Sequence, residues 1–326
     1  MRILVIGCGS IGQRHIKNLT DIDAGVISVF DIDKTRLSAV KARVPSVETY
    51  DNLFKAFQKI PNVAFITVPT SLHVKYALTA AEKGCHLFIE KPLSHDKKNV
   101  KKLLKVIKNK NLITIIGCNM RFYWAIKKIK ELLLKNRIGK IISARIEAGQ
   151  YLPDWHPWED YRKMYSARKK MGGGVILDGI HEIDYCRWFF GKADRALSMY
   201  GKLSNLEIET EDVAEMLLKF NHGPLVSIHV DYVYRDYLRG CSITGEEGTI
   251  SWDYNEHSVK LYEANRRKLK VFKEPAGYDS NRIYVEEIKY FMQCVKNKVS
   301  TFNSVFDAFE TLKATLRIKD SGIRCY

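Results

Sequence analysis

The chain has 326 residues, a length that favours two domains over one. Hydrophobic residues make up 46% of it, which is enough to bury a sizeable core and excludes general disorder. Its apolar runs fall well short of the ~20 residues of a transmembrane helix, and its first residues lack the pattern of a signal peptide. We therefore expect a soluble, cytoplasmic protein with no membrane partner.

The chain is strongly basic, since 53 Lys and Arg face 37 Asp and Glu for a formal net charge of +16. Such an excess raises nucleic acid as a partner. Much of it lies in residues 91–140, where 15 basic residues accompany 2 acids, mostly as lysines at helical spacing with few aromatic residues among them. Solvated helix faces explain this pattern better than a polyanion surface, so we expect no nucleic-acid partner.

The seven cysteines are scattered and form no C-x-x-C pair or set with matching histidines. This distribution argues against a disulfide framework and against a structural zinc site. We expect reduced thiols and no metal.

A short apolar run at residues 2–6 predicts a buried parallel strand, and a G-x-G-x-x-G motif follows it directly. Gly7 would allow the tight turn, Gly9 the close approach of a pyrophosphate, and Gly12 the packing of the next helix on the strand. The predicted dinucleotide-binding loop consists of Gly7, Cys8, Gly9, Ser10, Ile11 and Gly12.

A second predicted strand, residues 26–30, ends in Asp31, about 20 residues beyond the glycines. An acid at this place binds the adenosine ribose hydroxyls and would repel a 2′-phosphate. We therefore predict NAD as the cofactor, while the nearby Lys34 and Arg36 leave NADP open.

Strands and helices continue to alternate along the first third of the chain. The sequence predicts strands at 63–68, 86–90 and 112–118, and helices at 72–83 and 95–109. This alternation specifies a doubly wound parallel sheet, whose ligands bind beyond the carboxyl ends of the strands. Five side chains at that edge are predicted to contact the cofactor: Pro69, Thr70, His73, Glu90 and Lys91. Asn119, at the same edge, is predicted to contact the substrate.

The pattern changes near residue 122. A helix at 123–134 and a strand at 140–148 precede a series of strands without helices between them, which predicts an antiparallel sheet. These strands are expected at residues 197–202, 213–220, 225–234, 240–244, 249–254, 258–263 and 269–272.

The end of the chain completes this second domain. Two amphipathic helices, at 284–297 and 304–319, are expected to pack beside the antiparallel sheet. We predict a Rossmann domain at 1–121 and an α+β domain with a large, mostly antiparallel sheet at 122–326. Its strands are more apolar than one buried face explains, so we expect self-association through that sheet.

The stretch that follows Gly172-Gly173-Gly174 predicts a helix on which Asp178 and His181 face the same way. A carboxylate beside an imidazole orients the ring and raises its basicity, as general-base chemistry requires. The residues alone leave open that His181 is a hydrogen-bonded core residue and Asp178 a helix N-cap.

A loop at residues 151–162 is rich in aromatic and hydrogen-bonding side chains. Such a loop fits a sugar site, where aromatic faces stack on the ring and polar groups bind hydroxyls. We predict Trp155 and His156 as substrate contacts, and packing between domains or subunits is the alternative. Four basic residues indicate an anionic group on the substrate, such as a nucleotide-sugar diphosphate: Arg162, Arg168, Lys169 and Lys170.

Four motifs carry a family resemblance: G-C-G-S-I-G at 7–12, V-P-T-S-L-H at 68–73, E-K-P at 90–92 and N-M-R-F at 119–122. With them the chain resembles the Gfo/Idh/MocA oxidoreductases, which include glucose-fructose oxidoreductase and inositol dehydrogenase, over essentially its whole length. The aromatic loop and the segment H-E-I-D-Y-C-R-W-F-F-G at 181–191 resemble members associated with surface-sugar biosynthesis.

The resemblance implies catalytic roles for Lys91, Asp178 and His181. The family commonly has its Asp four residues before the His, whereas here the separation is three, so Asp184 is the other carboxylate within reach. Arg121 and Asp184 join the predicted substrate contacts, and Pro92 is expected to follow a cis bond. Family members usually form homodimers or homotetramers.

The predicted activity is hydride transfer between NAD and a secondary alcohol of a sugar, nucleotide sugar or cyclitol. His181 would remove the hydroxyl proton, held by Asp178 or Asp184, while Lys91 hydrogen-bonds the same oxygen; the roles of Lys91 and His181 could be exchanged. Two alternatives stay open. One is an NAD-dependent glycosidase that oxidises its substrate transiently, and the other is a non-catalytic NAD-binding regulator.

Overall fold

The structure, a computed structural model, describes residues 1–325, and the chain divides into two compact units. The first unit comprises residues 1–119 and 281–312, and the second comprises residues 120–280 and the chain from 313 onward. Each unit is therefore discontinuous in sequence, whereas the two predicted domains are single segments. No helix among the described residues has the length and hydropathy needed to cross a bilayer.

The first unit contains a six-stranded, fully parallel sheet in the order β3-β2-β1-β4-β5-β6. Its strands are β1 (Arg2–Ile6), β2 (Val26–Phe30), β3 (Glu48–Tyr50), β4 (Val63–Ile66), β5 (His86–Ile89) and β6 (Thr114–Ile116). Its helices are α1 (Ser10–Asp21), α2 (Lys34–Arg43), α3 (Leu53–Phe57), α4 (His73–Glu82), α5 (Val100–Asn109) and α9 (Arg282–Asn297). The central strands are apolar and buried on both sides, as parallel strands covered by helices are.

The second unit contains a nine-stranded sheet in the order β14-β13-β12-β11-β7-β10-β9-β8-β15. Its strands are β7 (Ile141–Gly149), β8 (Ala193–Gly201), β9 (Val213–Phe220), β10 (Leu225–Asp231), β11 (Leu238–Gly245), β12 (Gly248–Asp253), β13 (Ser258–Glu263), β14 (Lys268–Lys273) and β15 (Ile323–Cys325). Only the pairs β7–β10 and β8–β15 are parallel, so the predicted α/β class with a mostly antiparallel second sheet is confirmed.

The remaining helices are α6 (Trp124–Leu134), α7 (Val175–Asp178), α8 (Ile180–Phe190) and α10 (Val305–Asp320). The elements α2, α3, β3 and β15 were not predicted from the sequence. The helix predicted at 95–109 starts later, after Asn99, whose left-handed φ of 59° interrupts the helical backbone.

The predicted position of α9 beside the antiparallel sheet is wrong, because this helix packs in the first unit. Phe291 lies 6.0 Å from Phe65 and 5.8 Å from Phe88, measured between ring centroids. Asn281 and Asn18 exchange side-chain hydrogen bonds of 3.2 and 2.9 Å. Amphipathicity predicts that a helix has a buried face but cannot say which sheet covers it.

The open face of the nine-stranded sheet carries apolar side chains. Leu197 and Met199 on β8 are 64% and 51% exposed, and Leu217, directly opposite Leu197 on β9, is 40% exposed. Self-association through this face stays a prediction.

Candidate active site

The glycine loop joins β1 to α1, and its backbone is possible only without side chains at two positions. Gly7 has a φ of +106°, and a Cβ on Gly12 would clash with the carbonyl oxygen of Gly7. A Cβ on Gly9 would meet nothing closer than the Arg36 guanidinium at 3.9 Å. Gly9 is also the N-cap of α1 and provides no side-chain cap. The first amides of α1 thus suit a phosphate group, and this cradle fits the pyrophosphate of a dinucleotide.

Asp31, at the end of β2, is held by the backbone. Its Oδ2 accepts the N–H of Cys8 at 2.7 Å and its Oδ1 accepts the N–H of Asp33 at 2.9 Å. Burial and the nearby Asp31 charge raise the pKa of the Cys8 thiol to about 12, so this cysteine is a neutral packing residue. The fixed carboxylate fits the predicted contact with ribose hydroxyls.

His73, at the start of α4, ties together two loops at the carboxyl edge of the sheet. Its Nδ1 lies 2.7 Å from the carbonyl oxygen of Pro92, and its Nε2 lies 2.8 Å from that of Val68. Burial lowers the pKa of this imidazole, although both carbonyls favour its protonated form. His73 therefore fixes the loops after β4 and β5, which also carry Pro69 and the buried Thr70. The Lys91–Pro92 bond is cis, as predicted.

Glu90 anchors the end of β5 immediately before Lys91. Its Oε1 lies 2.6 Å from Nε2 of His15 on α1, and its Oε2 accepts the N–H of Lys91 at 3.2 Å. Gly117, after β6, makes room for this carboxylate, since a Cβ there would lie 3.1 Å from it. The His15–Glu90 pair thus connects the dinucleotide-binding helix with the strand that presents Lys91.

Tyr284 of α9 is a residue of this edge that the sequence analysis missed. Its hydroxyl hydrogen-bonds with Asn119, and the Arg14 guanidinium lies 4.6 Å above its ring. Burial raises the pKa of this phenol, and the charges of Arg14, Glu90 and Lys91 all act on it. A tyrosine on an amphipathic helix far along the chain gives no signal of this position.

In the second unit, Asp178 and His181 do not lie on one helix. Asp178 ends α7, Gly179 separates the helices with a φ of −75° and a ψ of 19°, and His181 is the second residue of α8. The predicted continuous helix is therefore wrong, because a glycine between them ends one helix and begins the next. Both side chains are buried, with 5% and 8% exposure.

Two tyrosines bind the carboxylate of Asp178. The hydroxyl of Tyr165 donates to Oδ1 and that of Tyr232 donates to Oδ2, each at 2.5 Å. Tyr165 lies just before the glycine run, and Tyr232 follows β10. Neither was predicted, because each is far from Asp178 in sequence.

Asp184 and Arg121 form a buried, bidentate ion pair. Nε of Arg121 donates to Oδ2 and its NH2 donates to Oδ1, each at 2.7 Å, and the two side chains are 2% and 3% exposed. Next to His181, the fully buried Glu182 accepts hydrogen bonds from Arg239 at 2.8 and 2.9 Å. Arg121 and Asp184, both predicted as substrate contacts, thus bind each other.

The aromatic loop contacts the environment of Asp178. The ring of Trp155 packs edge-on against Tyr232, 5.4 Å between centroids, and the His156 ring lies 5.3 Å from that of Trp158. Trp155 is half-buried and its Nε1 donates to the carbonyl of Gln150. The predicted residue Trp155 is therefore near Asp178 through Tyr232.

Two of the four basic residues predicted to bind an anionic group are paired with acids. Arg162 lies 2.8 Å from Asp160 and 3.5 Å from Glu207, and Arg168 lies 2.7 Å from Glu209. These pairs weaken the inference of an anionic group on the substrate.

The comparisons with known proteins cover both units. Residues 1–118 match the model of an oxidoreductase family with an NAD-binding Rossmann fold, and residues 126–251 match the GFO/IDH/MocA C-terminal domain. A myo-inositol 2-dehydrogenase of Thermotoga maritima is 30% identical over 312 residues, which are 91% of this chain and 89% of that protein.

Solved structures share the fold. A levoglucosan dehydrogenase in complex with NADH and levoglucosan superposes with a TM-score of 0.87 at 19% identity, over 98% of this chain and 96% of that one. A UDP-N-acetylglucosamine 3-dehydrogenase from Acidithiobacillus ferrooxidans gives a TM-score of 0.82 at 20% identity, over 99% and 97%.

Proposed function

Because the chain belongs to the GFO/IDH/MocA family of NAD-binding oxidoreductases, we propose that it oxidises a secondary alcohol of a sugar or cyclitol, with Lys91 and His181 handling the hydroxyl group. The observation that carries this proposal is the anchored end of β5. There Glu90, which His15 fixes, accepts the N–H of Lys91, so the backbone of Lys91 is held at the edge where the cofactor binds. Alcohol oxidation needs a cationic hydrogen-bond donor at this place, whereas a binding module does not.

The first unit would hold the cofactor. Gly7, Gly9 and Gly12 with the N-terminus of α1 would bind the pyrophosphate, and Asp31 would bind the adenosine ribose. NAD, when bound, supplies the ring that takes the hydride. The Lys91 ammonium would hydrogen-bond the substrate oxygen and stabilise its developing negative charge.

In the second unit, His181 would take the proton of the hydroxyl group that is oxidised. The imidazole is a suitable acceptor because its ordinary pKa lies near neutral pH. Asp178 would act together with Tyr165 and Tyr232 rather than from a shared helix face. The buried Arg121–Asp184 pair would position α8 instead of contacting the substrate directly. The roles of Lys91 and His181 could still be exchanged.

The substrate class follows from the aromatic loop and the relatives. Trp155 and Tyr165 are half-buried aromatic residues near Asp178, and an aromatic ring with a hydrogen-bonding group suits a polyol. The named relative acts on myo-inositol, and the pairing of Arg162 and Arg168 with acids favours an uncharged polyol over a nucleotide sugar. A free sugar or cyclitol is thus the first class to test.

The experiment measures NADH formation after the protein is mixed with NAD or NADP and a panel of sugars, cyclitols and nucleotide sugars. The Lys91→Ala/His181→Ala variant is expected to lose about a hundredfold or more of the activity. The matched control, Lys98→Ala/His222→Ala, changes the same residue types at exposed positions and should stay active.

One polyol class that yields NADH with the wild type and the control, and not with the site variant, supports the proposal. If the protein binds NADH in a fluorescence titration but oxidises no member of the panel, the alcohol-oxidation proposal fails. Release of a leaving group without net NADH would instead identify the glycosidase.

A further inference from the structure

Tyr165 brings its hydroxyl to Asp178 on a backbone that is fixed by its neighbours. A Cβ on Gly173 would clash with the carbonyl oxygen of Tyr165. The next carbonyl, of Ser166, accepts the N–H of Gly174 at 3.1 Å and the hydroxyl of Thr210 at 2.9 Å. The glycine run therefore lets the protein's own backbone approach closely, and it holds Tyr165 in place rather than on a free loop.

The two tyrosines that bind Asp178 differ in exposure. Tyr232 is fully buried, and the Trp155 ring packs against it. Tyr165 is only half-buried, so part of its side chain is open to a ligand. Both phenols donate their one proton to the same carboxylate. Tyr232 thus binds Asp178 from the protein interior, while Tyr165 binds it from a partly exposed position.

The chemistry of a phenol gives Tyr165 a further capacity. A phenol has one donor and can also accept hydrogen bonds through its oxygen lone pairs. Since the donor is directed at Asp178, the oxygen is oriented as an acceptor for an O–H group of a ligand. Hydrogen bonds in such a chain strengthen one another, because each donor polarises the next.

We propose that Tyr165 is a specificity-determining residue, whose oxygen accepts a hydrogen bond from a substrate hydroxyl other than the one that is oxidised. This inference rests on the proposed function, in which His181 and Lys91 address the oxidised hydroxyl. Asp178 fixes the direction of the Tyr165 hydroxyl and thereby the position of the contacted group. A polyol with a hydroxyl at that position is recognised, and its deoxy analogue is not.

The experiment compares Tyr165→Phe with the wild type on the polyol that gives NADH and on its monodeoxy analogues. Tyr165→Phe is expected to lower kcat/KM about tenfold for the parent polyol, because one hydrogen bond is lost. For the analogue that lacks the contacted hydroxyl, the same variant should lose only the smaller part of this effect, which comes from the lost bond to Asp178. Tyr262→Phe, an exposed position on β13, is the matched control and should change neither value.

A second variant distinguishes a direct contact with the substrate from a role in holding Asp178. Tyr232→Phe also removes a phenol from Asp178, but it is expected to lower kcat/KM by one factor for the parent and all analogues. If Tyr165→Phe behaves in that same uniform way, or changes nothing, Tyr165 makes no substrate contact and this inference is overturned. An inactive wild type would instead overturn the proposed function and this inference with it, so the two failures are distinguishable.

Discussion

The two units hold the buried carboxylates described above in different ways. In the first unit the backbone takes part: Asp31 accepts two amide N–H groups, and Glu90 accepts the amide of Lys91. In the second unit, side chains far away in sequence hold the carboxylates, with Tyr165 and Tyr232 on Asp178, Arg121 on Asp184, and Arg239 on Glu182.

The difference shows which carboxylates in each unit are sensitive to substitution. A backbone amide is present whatever the side chain, so a carboxylate that it holds survives most neighbouring substitutions. A carboxylate held by side chains loses a hydrogen-bond partner when one of those side chains is substituted. Glu90 stands between these cases, because one of its oxygens also relies on His15.

The largest effect is expected at the buried, bidentate ion pair of Arg121 and Asp184. Asp184→Asn removes the charge that compensates Arg121, which is buried and would stay charged. We expect the free energy of unfolding to fall by about 3–5 kcal/mol, the usual cost of leaving a buried charge unpaired. Chemical denaturation followed by circular dichroism measures this loss.

The matched control removes both charges. In Arg121→Met/Asp184→Leu no buried charge is left unpaired, so most of the stability should return. A double variant less stable than Asp184→Asn alone would show that the attraction of the pair outweighs its desolvation, contrary to this account.

A smaller effect is expected on substitution of His15, because the backbone N–H of Lys91 still hydrogen-bonds Glu90. His15→Phe removes the donor to Oε1 but leaves the amide of Lys91 on Oε2. We expect a loss of about 1–3 kcal/mol in the same unfolding experiment. His15→Gln keeps a side-chain donor and should recover much of it. A loss larger than that of Asp184→Asn would break the comparison between the units.

The same contrast explains what could be predicted from the sequence. The glycine loop, Asp31 and the parallel sheet follow from motifs and strand ends that are local in the chain, and the cis bond at Pro92 was implied by the family resemblance. Tyr165, Tyr232, Tyr284 and the Arg121–Asp184 pair depend on contacts between distant segments, which no spacing reveals. The helix break at Gly179 could have been predicted, since a glycine inside a helical pattern argues against a continuous helix.

The predicted role of Asp31 in the first unit can be tested through the preference for NAD or NADP. Asp31→Ser removes the carboxylate that would repel a 2′-phosphate, while Lys34 and Arg36 nearby keep their charges. We expect the ratio of kcat/KM for NADP over NAD to rise about tenfold or more, since one charge contact of about 1.4 kcal/mol has that effect.

The exposed Asp21→Ser variant at the end of α1 is the control for this charge change and should leave the ratio unchanged. If Asp31→Ser lowers activity with both cofactors equally, Asp31 serves mainly to hold the Cys8 and Asp33 amides. The backbone contacts would then be its chief role.

The smallest effect is expected at His229 on β10. Its partner Asp231 is bound both by this side chain and by backbone amides. Asp231 binds the His229 imidazole and also the amides of Val233 and Tyr234. Its burial opposes charge, but the imidazole and the amides outweigh it and lower the pKa of Asp231. The hydrogen bond to Asp231, opposed by burial and aided by Glu215, raises the pKa of His229 from 6.5 to about 9.

The sign of the resulting pH dependence follows from the proton count. Between pH 6.5 and about 9 the folded chain holds a proton on His229 that the unfolded chain has lost, so stability falls as pH rises through this window. The melting temperature of the wild type should exceed that of His229→Gln below pH 6.5, by an amount worth about 1 kcal/mol or less. The gap should close by about pH 9 to 10, because the extra proton is then lost. A gap that stays constant across this window would mean that His229 keeps one charge state throughout, contrary to its raised pKa.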